Sequence, residues 1–504
     1  MIEEIYDIVI IGSGMGGLLC ADVLSKEGYR VCVLEKNKQI GGSLQTYVRK
    51  KLIFDSGVHY LGGLDKGQNL YQIFKYIGIM DRLKLEKMDP DVFDKIIIEN
   101  DNNEYVFAQG YENFIQKLLL SFPNEEHALR VYCDKIKEVC SKFALYNLRA
   151  GGGLGEKSQM MEIDTKGYLA SITCNEKLQA VLVGNNMLYA GQPHKTPFYV
   201  HAMILNSYIE SSWKCVNGGS QIAKLMAQNI SGRGGVIKRN SEVKKIVVEA
   251  GKVNYVVLHN DENVYGKYFI SNMHPVKTLQ ITDTDIIKNV FRNRLKNLEN
   301  SISIFTLNII FKQNTFKYFQ HNVYYFKEGQ VWSMADYTDD NWPLGYVIFL
   351  SPDKSKSFAS SMTVLAYMKY DEVKEWQNTF NTVSSADERG AEYEAFKNRK
   401  AEKLIDCVSE KFEDLRESIE SYYTATPLSY RDYIGTDDGS MYGIVKDFKD
   451  PLKTFISART KLPNLYFTGQ NLNLHGILGA AMSGLVTCID LMGSEEIIEK
   501  IRNA

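Results

Sequence analysis

The stretch Tyr6-Asp7-Ile8-Val9-Ile10-Ile11-Gly12-Ser13-Gly14-Met15-Gly16-Gly17 decides how this chain begins to fold. Its first half is a short, β-branched apolar run, the signature of a strand buried on both faces. Its second half is a G-x-G-x-x-G turn. There Gly12 allows the tight reversal, Gly14 lets the backbone approach a pyrophosphate, and Gly17 lets the next helix pack closely on the strand. A helix-like segment with Leu18, Leu19, Ala21 and Leu24 follows and ends at Gly28. Arg30-Val31-Cys32-Val33-Leu34 then makes a second strand ending at Glu35, 18 residues past Gly17. This order predicts a dinucleotide site. The pyrophosphate sits at the helix N-terminus, among Ser13, Met15 and Gly16, and Glu35 accepts from ribose hydroxyls. The plainer alternative is a strand–helix turn with no ligand.

The rest of the composition fits a large globular enzyme. The chain has 504 residues, 44% hydrophobic and 24% charged, so wholesale disorder is excluded. Lys and Arg number 59 against 61 Asp and Glu, which gives no support to a nucleic-acid partner held by phosphate neutralisation. The 8 cysteines are sparse, and none is spaced as C-x-x-C, so zinc and dithiol redox readings fail and reduced, buried thiols are expected. No metal-ligand spacing stands out. Met1-Ile2-Glu3-Glu4-Ile5 is acidic, unlike a secretory leader. The longest uncharged stretch, residues 462–489, carries Gln470, Asn471, Asn473 and His475 and makes a poor membrane span. A cytoplasmic protein is expected, with peripheral membrane contact left open and the oligomeric state unread.

Two more blocks belong with the first. Asn217-Gly218-Gly219-Ser220 leads an amphipathic helix through Ile222, Leu225 and Met226, followed by β-patterned segments from Val243 to Val248, Val253 to Leu258 and Tyr268 to Asn272. Asn464-Leu465-Tyr466-Phe467-Thr468-Gly469 is a strand that leads to Gly476-Ile477-Leu478-Gly479 and a final helix. The expected fold is α/β. A discontinuous Rossmann-like domain takes residues 1–75, 215–280 and 455–504, and a mixed α+β substrate domain is inserted as residues 76–214 and 281–454. Residues 76–214 read as largely helical. Their apolar segments offer Phe198, Tyr199, Met203, Ile204 and Tyr208 as tunnel walls for a long hydrophobic substrate, or as ordinary helix core.

Ile40-Gly41-Gly42-Ser43 resembles the second fingerprint of FAD enzymes of the glutathione-reductase-like, amine oxidase and phytoene desaturase type. The closer resemblance is to the phytoene desaturase, carotenoid isomerase and retinol saturase family. It is carried by Gly42-Ser43-Leu44-Gln45-Thr46-Tyr47, by Phe54-Asp55-Ser56-Gly57-Val58-His59-Tyr60-Leu61-Gly62, by Thr426-Pro427-Leu428, by Gly439-Ser440-Met441-Tyr442-Gly443 and by the block from Asn464 to Gln470. It spans nearly the whole chain in motif order and is vague between residues 281 and 420. Many FAD enzymes carry Arg soon after the double glycine; Ser43 stands here, as in the retinol saturase branch. The resemblance implies FAD held by Gly12, Ser13, Gly14, Met15, Gly16, Gly17, Glu35, Lys36, Gly41, Gly42, Ser43, Val243, Gly469, Gln470, Gly476 and Ile477. Val243 would hold the adenine by its backbone, unless it is simply a core strand residue.

The resemblance also implies hydrogen transfer to or from a carbon–carbon bond of a lipophilic polyene or isoprenoid, in the manner of a retinol saturase-like reductase. Carotenoid desaturation or cis–trans isomerisation is an alternative on the same fold. A non-redox prenyl-binding chaperone of the GDP-dissociation-inhibitor type is a third, against which the intact glycine turn and Glu35 argue. Only one nucleotide fingerprint is visible, so NAD(P)H enters at most as a transient electron donor. For proton delivery the candidates are His59, Tyr60 and His475. The competing reading of each histidine is an imidazole bonded to a backbone carbonyl.

Overall fold

In the computed structural model, which describes residues 5–383 and 385–504 and every side chain there but that of Leu154, the opening stretch forms the strand Ile5–Ile11 and the helix Met15–Lys26. Met1 to Glu4, on which the argument against a leader rests, lie outside the described residues. The strand sits in the middle of a seven-stranded sheet. Its neighbours run Val236–Lys238, Val31–Leu34, Ile5–Ile11, Asn263–Ser271, Lys252–Leu258, Val243–Glu249, with Leu465–Phe467 paired to the end of Asn263–Ser271. The pairs around Ile5–Ile11 are parallel, and the two that join residues 243–271 are antiparallel. Residues from the beginning, middle and end of the chain therefore build one sheet.

Strand alternation divides that sheet between two cores. Ile8, Ile10, Val31, Val33 and Ile270 point toward the helices Met15–Lys26, Ser220–Gly232 and Gly476–Met492. Val9, Ile11, Cys32, Leu34 and Phe269 point the other way, onto Val243, Ile246, Val256 and Leu465. Both sides are dry, which is why the strand reads as a continuous apolar run with no polar alternation. Full burial of such side chains contributes roughly 1.5–3 kcal/mol each.

A second seven-stranded sheet is built in the order Ile419–Ala425, Ser303–Phe311, Ala359–Met368, Gly345–Pro352, Asn322–Phe326, Asp94–Ile98, Glu104–Phe107. All of its pairs are antiparallel except Asn322–Phe326 with Asp94–Ile98. The expected strand Ser303–Phe311 is the one observed, and it is buried along its whole length. Residues 76–214 are less helical than expected. Asp94–Ile98 and Glu104–Phe107 form a hairpin on the edge of this sheet, and Leu85–Lys87 joins a small sheet with Ser212–Cys215 and Leu61–Gly62. Short strands that complete a distant sheet carry little local signal, and tertiary pairing decides them. The helices Glu126–Ser141 and Phe198–Glu210 cover this sheet with one common core. Among the described residues no helix is long and apolar enough to cross a membrane. All eight cysteines are free.

The helix Met15–Lys26 reaches its sheet only because Gly17 has no side chain. A Cβ there would lie 2.2 Å from the Gly12 carbonyl oxygen, a backbone atom that cannot yield. Gly17→Ala is expected to destabilise the fold by at least about 1–3 kcal/mol, as overpacking does, and to lower the thermal midpoint. Gly155→Ala, whose Cβ would meet nothing within 4 Å, is the control and should leave the midpoint unchanged. Equal midpoints for the two variants would contradict this packing.

Candidate active site

One cavity follows the carboxyl ends of the central strands, where open α/β sheets bind ligands. It is bordered at one end by Ser241, Glu242 and Val243, passes Gly12 to Gly16, and reaches Tyr60, Tyr324 and Phe349 at the other. The glycines shape its floor. Gly41 and Gly42 take the left-handed conformation, with φ of 115° and 55°. They fold the second fingerprint back onto the first, so that a Cβ at Gly42 would stand 3.1 Å from the Gly14 Cα. The Gly41 amide donates to the Ser13 carbonyl at 3.0 Å, and Gly14 and Gly41 form an isolated bridge. Gly469, from the last strand, closes the third side: a Cβ at Gly16 would come 2.9 Å from its backbone.

Asn272 stands where these segments meet. Its side chain would lie 2.6 Å from a Cβ at Gly14, 2.8 Å from one at Gly16 and 2.5 Å from one at Gly469. The sequence reading took it as the end of a β-patterned segment and gave it no role in the site. Its place just past Ser271, at the carboxyl end of the strand beside Ile5–Ile11, is the signal that would have found it.

Glu35 is buried and bounds the cavity. Its carboxylate accepts from the Ser13 amide at 3.0 Å, from the Ser13 hydroxyl, and from the Asn37 amide at 2.8 Å. It thus braces the glycine turn while facing the space an adenosine ribose would take. Lys36, beside it, donates to the Asp432 carbonyl at 2.6 Å, and burial lowers its pKa. His475, Gly476 and Ile477 bring the N-terminus of the helix Gly476–Met492 to the cavity wall, and Gln470 lies alongside. Ser43 also lines it, packed under Gly57. All of the residues expected to hold the cofactor except Gly17, which packs beneath the turn, border this cavity. The groups present suit a dinucleotide: a backbone cradle open to a pyrophosphate, an unblocked helix N-terminus and a ribose-facing carboxylate.

The far end is apolar and rich in tyrosine. Met203, Ile204 and Tyr208 of the helix Phe198–Glu210 line it, as expected for a tunnel wall. Phe198 and Tyr199, named with them, do not. Phe198 packs on Tyr168 at 4.6 Å and Tyr199 on Phe143 at 5.2 Å, inside the helical core. The helix presents one stripe to the cavity and the other to its neighbours.

The three titratable candidates meet different surroundings. The His59 ring stacks on Phe349, centroids 4.2 Å apart and 7° from parallel. Although part of it borders the cavity, protein encloses it, and burial beside Lys214 depresses its pKa to about 3. His475 donates from Nε2 to the Leu188 carbonyl at 3.2 Å and lies against Tyr442; burial lowers it too to about 3. Both imidazoles are therefore neutral at neutral pH, and the premise that a histidine here starts near its ordinary pKa does not hold in this enclosure. Tyr60 is the best connected of the three. Its hydroxyl lies 2.9 Å from Asp94 Oδ2 and 2.8 Å from the Tyr324 hydroxyl.

The comparisons with known proteins agree with this geometry. Residues 10–77 match the family model of an NAD(P)-binding Rossmann-like domain. The all-trans-retinol 13,14-reductase of Rattus norvegicus is 27% identical over 96% of this chain and 85% of its own length. The chloroplastic prolycopene isomerase of Daucus carota is 25% identical over 95% of this chain and 79% of its own. Over nearly its whole length the chain is similar to retinol reductases and carotenoid isomerases. Among solved structures, wild-type putrescine oxidase bound to putrescine has a TM-score of 0.63 at 13% identity, covering 98% of this chain and 100% of its own. That likeness shows the fold: a Rossmann-like domain of the amine oxidase type joined to a mixed-sheet domain.

Glu35 supplies the prediction of this section. Glu35→Ala should remove a charge-assisted contact to the dinucleotide of order ~1.5–3 kcal/mol, roughly tenfold to hundredfold in affinity. Glu35→Gln retains one acceptor and should fall between. Calorimetric affinities that do not change in either variant would leave Glu35 as a brace for the turn alone.

Proposed function

We propose that this protein binds FAD in the glycine cradle and carries hydrogen to or from a carbon–carbon bond of a lipophilic polyene or isoprenoid, with reduction of a retinol-type double bond as the leading direction. The observation that carries the reading is the continuity of the cavity. A polar, backbone-lined cradle leads without interruption into a chamber walled by Met203, Ile204, Tyr208, Val347, Phe349 and Leu365.

In this reading Gly12 to Gly16 receive the pyrophosphate, Glu35 and Lys36 the adenosine ribose, and Val243 the adenine. Gly41 to Ser43, Gly469, Gln470, Gly476 and Ile477 surround the flavin. The flavin, when bound, supplies hydride transfer. The chain supplies the rest. The N-terminus of the helix Gly476–Met492 favours negative charge at the ring. The apolar walls exclude water and hold a double bond in place, which contributes much of the rate. Tyr60 is the proton donor with direct access to the chamber, while neutral His59 and Phe349 form a flat stacked wall against which a polyene can lie. The isomerase-type relatives favour a second reading on the same residues, in which a proton is given and taken back with no net reduction.

Anaerobic reduction followed by a panel of polyenes tests the proposal. The purified protein should carry FAD or take it up in stoichiometric amount. Once it is reduced, by dithionite or by NAD(P)H in separate arms, a lipophilic polyene should re-oxidise it. Affinity should rise by roughly 0.8 kcal/mol per buried CH₂. A protein that binds prenyl chains but no flavin would be the chaperone instead. Faster re-oxidation by small polar acids than by any polyene would overturn the substrate class.

A further inference from the structure

Tyr60 has a difficulty as an acid. Burial and the neighbouring Asp94 and Tyr324 push its pKa well above that of a free phenol. A Tyr60 that gave up its proton alone would leave a phenolate in an apolar chamber. The structure places a second group where it relieves this. Asp94 is fully buried on the strand Asp94–Ile98, behind Tyr60 and out of the cavity. Its Oδ1 accepts from the Asn322 side-chain amide at 2.8 Å, so the Oδ2 that faces Tyr60 is the oxygen left to carry a proton. Asp94, Tyr60 and Tyr324 form a connected set, two of whose members open onto the chamber.

We infer that Asp94 is the proton reservoir of the site, passing its Oδ2 proton to Tyr60 as Tyr60 gives its own to a carbon of the bound double bond. The inference rests on the reading of the cavity as a site of hydrogen transfer to carbon. In the reducing direction the carbon–carbon π bond breaks. One carbon would take the hydride that a bound, reduced flavin supplies, the flavin being oxidised, and the other takes the proton from Tyr60 Oη. The Tyr60 O–H bond re-forms with the Asp94 proton, and Asp94 is left as a carboxylate. The charge thus ends on Asp94, held by the Asn322 amide and by the nearby Lys214, and not on the phenol.

The surroundings suit both states. Burial raises the pKa of Asp94 to about 7, while the hydrogen bonds of Asn322 and Tyr60 and the charge of Lys214 act to lower it. Lys214 is itself lowered by burial to about 8, and it feels Asp94 on one side and Glu86 on the other. The remaining titratable neighbours are Tyr208, raised by burial and by Asp94, His59 at about 3, and His321, lowered to about 4 by burial and by Lys95 and Lys214. Between about pH 6 and about pH 9 the charge of this cluster therefore changes at Asp94 and Lys214. A line of polar contacts ties Lys214 to the surface. Lys214 Nζ donates to the Gln320 carbonyl at 2.8 Å, the Gln320 amide donates to Glu86 at 3.2 Å, and Glu86 pairs with the exposed Lys356 at 2.9 Å.

Asp94 touches no substrate, so it is a positioning and relay residue whose test must separate relay from structure. Asp94→Asn keeps the shape and cannot release the proton. FAD content and thermal midpoint should stay near wild type, while single-turnover re-oxidation by a polyene slows roughly 10²–10⁴-fold. Only neutral Asp94 donates, so the wild-type rate should fall as pH rises through about 7. That limb should vanish in Asp94→Asn and move to higher pH in Lys214→Gln, which removes the charge that favours the carboxylate. A second measurement needs no turnover. The wild-type minus Asp94→Asn infrared difference spectrum should show a protonated-carboxyl band near pH 5 that is lost as pH rises through about 7; Asp55, which burial also raises to about 7, contributes to both proteins and cancels. A polyene-active wild type beside an Asp94→Asn enzyme with the same rate and pH limb would overturn the inference and leave the proposed function standing. If no polyene re-oxidises the flavin, both fall. If Asp94→Asn does not fold, the same titration on Asp55→Asn, which removes the other carboxyl raised to about 7, decides: a carboxyl ionised throughout overturns the relay.

Discussion

The structure depends on three stretches of backbone coming into close contact, with one side chain at their junction. Gly12 to Gly17 and Gly469 meet around the Asn272 side chain, Gly42 lies against Gly14, and a Cβ added at Gly14, Gly16, Gly17 or Gly469 would strike backbone or amide atoms. The first and last stretches lie more than 400 residues apart in the chain, so this contact forms only when the strands Ile5–Ile11, Asn263–Ser271 and Leu465–Phe467 are already aligned. The sheet and the cradle are in that sense one object. A change that loosens the turn loosens the sheet, and a ligand that fills the cradle ties the ends of the chain together.

The second constraint is desolvation, which acts in opposite directions on neighbouring groups. Enclosure near Phe349 strips water from His59 and makes its cation costly, which lowers its pKa. The same enclosure makes the Asp94 anion costly and raises its pKa into the neutral range. A histidine is thereby made inert as an acid and a carboxyl is made useful as one, a separation typical of acid–base sites. The enclosure of the chamber is what sets this assignment.

The Rossmann-like half was legible because its chemistry is local. Strand, glycine turn, helix and acidic residue follow within residues 6–35, and each glycine has its own steric reason. The double glycine at 41 and 42 and the late turn at Gly469 and Gly476 were legible by resemblance. The acid–base end was not, since it is assembled from distant elements. Asp94, Asn322 and Tyr324 lie on two strands that pair only in the finished sheet. A carboxylate at the start of the apolar run Asp94-Lys95-Ile96-Ile97-Ile98 was the one local hint, and it reads equally as a strand cap. His59 and His475 attracted attention because histidine titrates near neutrality in water. Burial, which a sequence does not display, removes that property.

The central claim is that cofactor and lipophilic substrate share one continuous cavity, and a titration without turnover tests it most directly. FAD-loaded protein is titrated with a polyene under oxidising conditions while the flavin absorption bands are followed. The account predicts a saturable difference spectrum at the flavin, with one polyene per chain, which weakens when Phe349 is replaced by Ala. A polyene that binds with the same stoichiometry and leaves the flavin bands unmoved, in wild type and variant alike, would contradict it.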